Sequence, residues 1–198
     1  MEIQNLNISF NCRRIITAFS YSFEPNYIYL LSGSNGSGKT SILNVIAGVN
    51  TKYDGELTGF DIYKKFSVDF LGFDKRISGI KNIKALLMKE KTDMQFLDSL
   101  ILAFEMEKHI CKSVGRMSYG MQKKLSLIAS FAAKPDLLLL DEPYNGLDKK
   151  SQSVLSNLLH EFILQPGKTV IMASHFENVQ AINEQYKIIN LEKEVENG

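Results

Sequence analysis

Gly33-Ser34-Asn35-Gly36-Ser37-Gly38-Lys39-Thr40 sets an ammonium and a hydroxyl directly behind three spaced glycines, followed by Ser41. The spacing is G-x-x-x-x-G-K-[ST], and its chemistry is phosphate binding. Glycines let the backbone curl so that its N–H groups converge on phosphate oxygens, and a following helix adds the positive end of its dipole. Lys39 then bridges the β- and γ-phosphates of a nucleoside triphosphate, and the Thr40 hydroxyl ligates Mg²⁺. Far downstream, Leu137-Leu138-Leu139-Leu140 runs into Asp141-Glu142. Successive strand side chains point to opposite sides, so two adjacent carboxylates at a strand end serve two places. Asp141 suits the metal beside Thr40, and Glu142 suits removal of a proton from the water that attacks the γ-phosphate. Alone, the pair could be a charged strand end meeting solvent; the upstream phosphate loop decides for chemistry.

These residues need an α/β frame to bring them together. Ile3, Leu6 and Ile8, then Ile15-Ile16, then Phe19 to Phe23 read as short strands, punctuated by Pro25-Asn26. Ile28 to Leu31 is a buried strand feeding the phosphate loop, and Ile42, Leu43, Ile46 and Ala47 give the face of the helix after it, with Gly48 as a stop. Asp54-Gly55 reads as a turn before a strand at Glu56 to Phe60. Lys81 to Lys112 is the most helical and charged stretch, with apolar faces at Ile83, Leu86, Leu87, Phe96, Leu97, Leu100, Ile101 and Phe104. A helix over 119–133, a strand at 137–140, a helix face at Val154, Leu155, Leu158, Leu159 and Phe162, and a strand at 169–172 complete the alternation. Strands alternating with helices predict parallel pairing through crossovers.

The chain has 198 residues, enough for one compact domain with a small lobe. Lys plus Arg number 23 against 22 Asp plus Glu, a net charge of +1, so charge gives no argument for nucleic acid or an acidic membrane. Cys12 and Cys111 stand far apart without His or Cys at metal-ligand spacing, which fits a reducing cytosol better than a disulfide scaffold. The start, Met1 to Phe10, alternates like a strand rather than a leader, and no apolar run approaches bilayer length. Work at a membrane then requires a partner to carry the chain there.

Met117-Ser118-Tyr119-Gly120-Met121-Gln122-Lys123-Lys124 resembles the signature of the ABC family, usually Leu-Ser-Gly-Gly-Gln followed by basic residues and a helix. Ser118 and the second glycine, Gly120, are kept; Tyr119 and Met121 depart from the pattern. Pro143-Tyr144-Asn145-Gly146-Leu147-Asp148 is similar to the family's D-loop, and Ser174-His175 to its switch histidine. Phe10 aligns with the aromatic that stacks on adenine. The Q-loop glutamine has no counterpart in Val68 to Ile80, where Asp69 and Asp74 are the nearest oxygen donors. His109 and His160 lie in helical stretches and read as surface residues.

The resemblance runs from about residue 2 to 191. It implies a P-loop NTPase core with a mainly parallel sheet, an N-terminal antiparallel β subdomain and a helical lobe at about 76–116, all in one domain over 1–198. It further implies an ATPase using ATP and Mg²⁺, with Glu142, His175 and Lys39 catalytic. Phe10, the loop 33–41, Ser118 and Gly120 would hold nucleotide, and Thr40 and Asp141 the metal, with Asp69 or Asp74 as further ligands. Family members pair head to tail, so the expectation is a homodimer clasping ATP and energising an integral-membrane permease, with export favoured. Its place would be cytoplasmic, on the inner face of the cell membrane, with the docking surface formed by the lobe and residues 66–80. The alternative is a non-transport ABC ATPase acting on a soluble or ribosomal partner. A kinase would leave the signature, the carboxylate pair and His175 unexplained.

Overall fold

The computed structural model describes residues 1–10, 13–61, 65–67, 72–88, 93–174 and 185–192. Two sheets form among them. The first is antiparallel, in the order β2 (Arg13–Ser22), β1 (Glu2–Phe10), β4 (Asp54–Thr58). The second is wholly parallel, in the order β5 (Lys65–Ser67), β6 (Leu137–Asp141), β7 (Thr169–Ala173), β3 (Ile28–Ser32), β8 (Tyr186–Asn190). Five α-helices accompany them: α1 (Lys39–Ile46), α2 (Gly79–Leu86), α3 (Met94–Ala103), α4 (Tyr119–Ala132) and α5 (Lys149–Ile163).

The alternation of strand side chains divides the core in two. Ile28 and Leu30, Leu138 and Leu140, and Val170 and Met172 point into one apolar cluster with α2 to α5. Tyr29 and Leu31, Leu137 and Leu139, and Ile171 and Ala173 point into the other, with α1 and the antiparallel sheet. This is why the central strands read as unbroken apolar runs: both faces are covered. Each fully buried Leu contributes roughly 1.5–3 kcal/mol by leaving water, and all four leucines of β6 are at most 1% exposed.

Four sequence expectations need correction. Asp54-Gly55 opens β4 instead of turning before it. Gly55 has φ 112, and a Cβ there would lie 2.6 Å from Asn5 O, so the glycine serves a close backbone approach to the irregular stretch of β1. Among the described residues of 81–112, the helices are α2 and α3 alone; residues 104–112 run mostly in turns, with Glu105 at φ 55 just after α3. Leu86, expected on the apolar face, is 43% exposed at the end of α2. His109 accordingly sits half-buried in a turn rather than on a helix, whereas His160 lies on α5 and is exposed, as expected.

Candidate functional site

The phosphate loop leaves β3 and enters α1 with Gly33, Gly36 and Gly38 all at positive φ, at 151°, 88° and 98°. Two of the three have distinct reasons. At Gly38 a Cβ would lie 2.5 Å from Ile16 Cδ1, so the loop is pressed against β2. At Gly36 nothing lies within 4 Å, so the missing side chain leaves open space where the loop faces the cleft. A backbone with these dihedrals presents N–H groups toward one side, the cradle that phosphate oxygens fit.

Lys39 is 7% exposed, and its Nζ donates to Gly33 O at 2.7 Å and Ser34 O at 3.0 Å. The ammonium thus arches over its own loop. On the outer side, Ser34 N–H donates to Glu192 Oε1 at 2.7 Å, and the bonds from Ser34 hold the Glu192 carboxyl below its ordinary value. Ser37 faces inward, its Oγ buried.

Thr40 Oγ1 donates to Asp141 Oδ2 at 2.6 Å, across 101 residues of sequence. The hydroxyl and the carboxylate therefore meet where a divalent cation between them would be ligated by both, which fits Mg²⁺ chemistry. Glu142 follows at φ 42, in the left-handed region, at a cost of order 1–3 kcal/mol for a residue with a Cβ. The peptide before it is fixed at both ends: Glu142 N–H donates to Ala173 O at 2.8 Å, and Asp141 O accepts from Lys123 Nζ at 2.9 Å. A cleft of about 480 Å³ is lined by Asn35, Gly36, Gly38, Lys39, Thr40 and Ser41 on one side and by Asp141, Glu142, Lys123 and Tyr119 on the other, with Ile15 at its edge.

Ser118 caps α4, its hydroxyl accepting from Met121 N–H at 3.3 Å, which leaves its own O–H to donate outward. Gly120 packs on the loop after β6: a Cβ there would lie 2.7 Å from Gly146 O. Neither Ser118 nor Gly120 lines the cleft of its own chain. Asp148 caps α5 through Ser151 N–H at 2.9 Å and pairs with Lys124 at 2.8 Å; the Lys124 hydrogen bond foremost, then Ser151, holds its carboxyl well below the usual range.

Other expected residues fall elsewhere. Phe10 is 67% exposed at the end of β1 and lies outside the residues lining the cleft, where Ile15 of β2 stands instead. Asp74 is bound at both oxygens by Arg76, at 2.9 and 2.7 Å, and the Arg76 bonds bring its carboxyl down to about 2. It is not among the residues facing the cleft. Asp69 and His175 lie outside the described residues. Sequence reasoning passed over Ile15, Lys123 and Glu192, whose roles depend on contacts between segments far apart in the chain.

The sequence matches the family model described as ABC transporter over residues 16–145. An uncharacterized ABC transporter ATP-binding protein of Bacillus subtilis, YybJ, is 32% identical over 88% of this chain and 85% of its own length. The lantibiotic transport ATP-binding protein SrtF of Streptococcus pyogenes is 29% identical over 88% of this chain and 80% of its own. Among solved structures, a dimeric ATP-binding cassette in a post-hydrolysis state bound to ADP and Pi superposes with a TM-score of 0.78 at 19% identity, covering 96% of this chain and 93% of that one.

Proposed function

We propose, because this chain belongs to the ABC transporter family of ATP-binding domains, that it hydrolyses Mg-ATP to drive a separate membrane permease. One observation carries the reading: Thr40 and Asp141, remote in sequence, meet at 2.6 Å beside the cradle of the phosphate loop.

Lys39 meets the β- and γ-phosphates, and the loop N–H groups take their remaining oxygens. Mg²⁺, held by Thr40 and Asp141, would supply positive charge to the phosphate oxygens. Glu142, facing the cleft, takes the proton of the attacking water as its oxygen bonds to the γ-phosphorus and the bond to ADP breaks. ADP and phosphate are the products. Phe10 stacks on adenine from the end of β1, and His175 completes the γ-phosphate contacts.

A second copy supplies Ser118 and Gly120, which do not line their own chain's cleft, so two chains clasp ATP between them. The whole of 1–198 acts as one domain, with the lobe at 76–116 and residues 66–80 meeting the permease. Loss of phosphate removes contacts across the pair, and the opening that follows biases a bistable partner. Export is the direction we favour. Among the described residues no helix is long and apolar enough to cross a membrane, so the permease is a separate requirement of the proposal.

Phosphate release from ATP, measured with and without Mg²⁺, tests the enzyme. Co-purification of an integral-membrane subunit tests the partner, and cargo movement in vesicles carrying that subunit tests direction. Binding of ATP without metal-dependent turnover would overturn the reading.

A further inference from the structure

Glu142 faces the cleft from a left-handed backbone, at φ 42. Among the contacts that hold it there, two are made to the peptide that joins it to Asp141. The N–H end bonds to Ala173 O of β7 at 2.8 Å, an extension of the parallel ladder. The C=O end accepts from Lys123 Nζ at 2.9 Å. Peptide units are rigid planes, so holding this one at both ends, with the next held through Asn145 N–H donating to Glu142 O at 3.2 Å, confines φ of Glu142 between them.

Lys123 comes from α4, a different element, and is 7% exposed. Burying an ammonium is costly unless it is hydrogen-bonded, and a solvated lysine on an exposed helix face would incur no such cost. Its neighbour Lys124 shows the ordinary use of the charge, an ion pair with the half-exposed Asp148. Lys123 instead lines the same cleft as Lys39, Thr40, Asp141 and Glu142 and bonds to the backbone between the two carboxylates.

We propose that Lys123 is a positioning residue for hydrolysis: it holds the Asp141–Glu142 peptide in the orientation that keeps the Glu142 carboxyl facing the cleft, and it leaves ATP capture to Lys39 and the phosphate loop. The proposal rests on Glu142 as the proton acceptor. It predicts a division of labour, with one lysine governing affinity and the other turnover.

Three variants of the full chain separate the possibilities, read by calorimetric Mg-ATP binding and by phosphate release under single turnover. Lys123→Met keeps the length of the side chain and removes its donors. It should bind ATP within about twofold of the wild type and hydrolyse it about 10- to 100-fold more slowly, the range expected for a misplaced catalytic group. Lys123→Arg, which keeps donors, should recover most of the rate. Lys123→Met combined with Glu142→Gln should be no slower than Glu142→Gln alone, because residues acting through one group are not additive. Wild-type turnover in Lys123→Met, equal losses of affinity and rate, or a further proportional loss in the double variant would each overturn the proposal. If Lys123→Met does not fold, Lys123→Leu, which likewise has no donor, takes its place in the same cycle with the same outcomes. A wild type that releases no phosphate would overturn the ATPase reading and this one together, whereas a fast Lys123→Met enzyme would count against Lys123 alone.

Discussion

Lys39 and Glu142 stand on opposite walls of one cleft and answer to different substitutions. The Lys39 ammonium is nearly buried and already bonded to Gly33 O and Ser34 O, so it is held in place before a triphosphate arrives. Lys39→Ala removes that charge from beneath several phosphate oxygens. We expect ATP affinity to fall at least tenfold, about 1.4 kcal/mol, by calorimetry; unchanged affinity would refute the loop assignment. Glu142→Gln keeps the shape but not the basicity. Binding should persist while the rate of phosphate release drops by about 10²- to 10⁴-fold, the usual worth of a general base. Wild-type turnover in that variant would remove Glu142 from its role.

Caps and turns show where local sequence speaks plainly and where it does not. Asp148 begins α5, and its pairing with Lys124 ties that helix to the second turn of α4. Because the folded state holds the Asp148 carboxyl below its ordinary value of about 3.9, the stability it contributes is complete above that pH and is lost as pH falls toward the lowered folded value. Asp148→Asn keeps a capping oxygen and loses the ion pair. Urea unfolding at pH 7 should show a deficit of about 0.5–1 kcal/mol, discounted for exposure, that closes as the pH drops below about 4. A gap that stays constant from pH 7 to 3 would show that the carboxylate charge is not involved. The strands at 28–31, 137–140 and 169–172 were readable within a residue, since double-sided burial writes itself as consecutive apolar side chains. The phosphate loop was readable because its dihedrals demand glycine. Gly55 misled because a glycine that admits a neighbouring backbone looks, in sequence, like a glycine that turns. The contacts of Lys123 and Glu192 were not readable: each bonds to backbone atoms, which carry no side-chain signature.

At the scale of the whole molecule, neither Ser118 nor Gly120 lines the cleft of its own chain, and the proposed clasp sets them against the nucleotide of a second copy. With Glu142→Gln and Mg-ATP, the protein should elute from a sizing column at twice its 22.4 kDa mass, and Ser118→Arg should return it to the monomer without weakening ATP binding to the isolated chain. A monomer under the first condition would overturn the clasp. The parallel sheet sets a further limit. Asp141 and Leu31 both stand level with Ala173 of β7, so the strand that carries Asp141, the strand before the phosphate loop and the strand before Ser174 end within a residue of one line. One residue inserted ahead of Asp141 would carry it about 3.3 Å onward and swing its carboxylate through to the reverse of the sheet. Evolution can therefore lengthen the connections of this machine freely, yet must count its inner strands residue by residue.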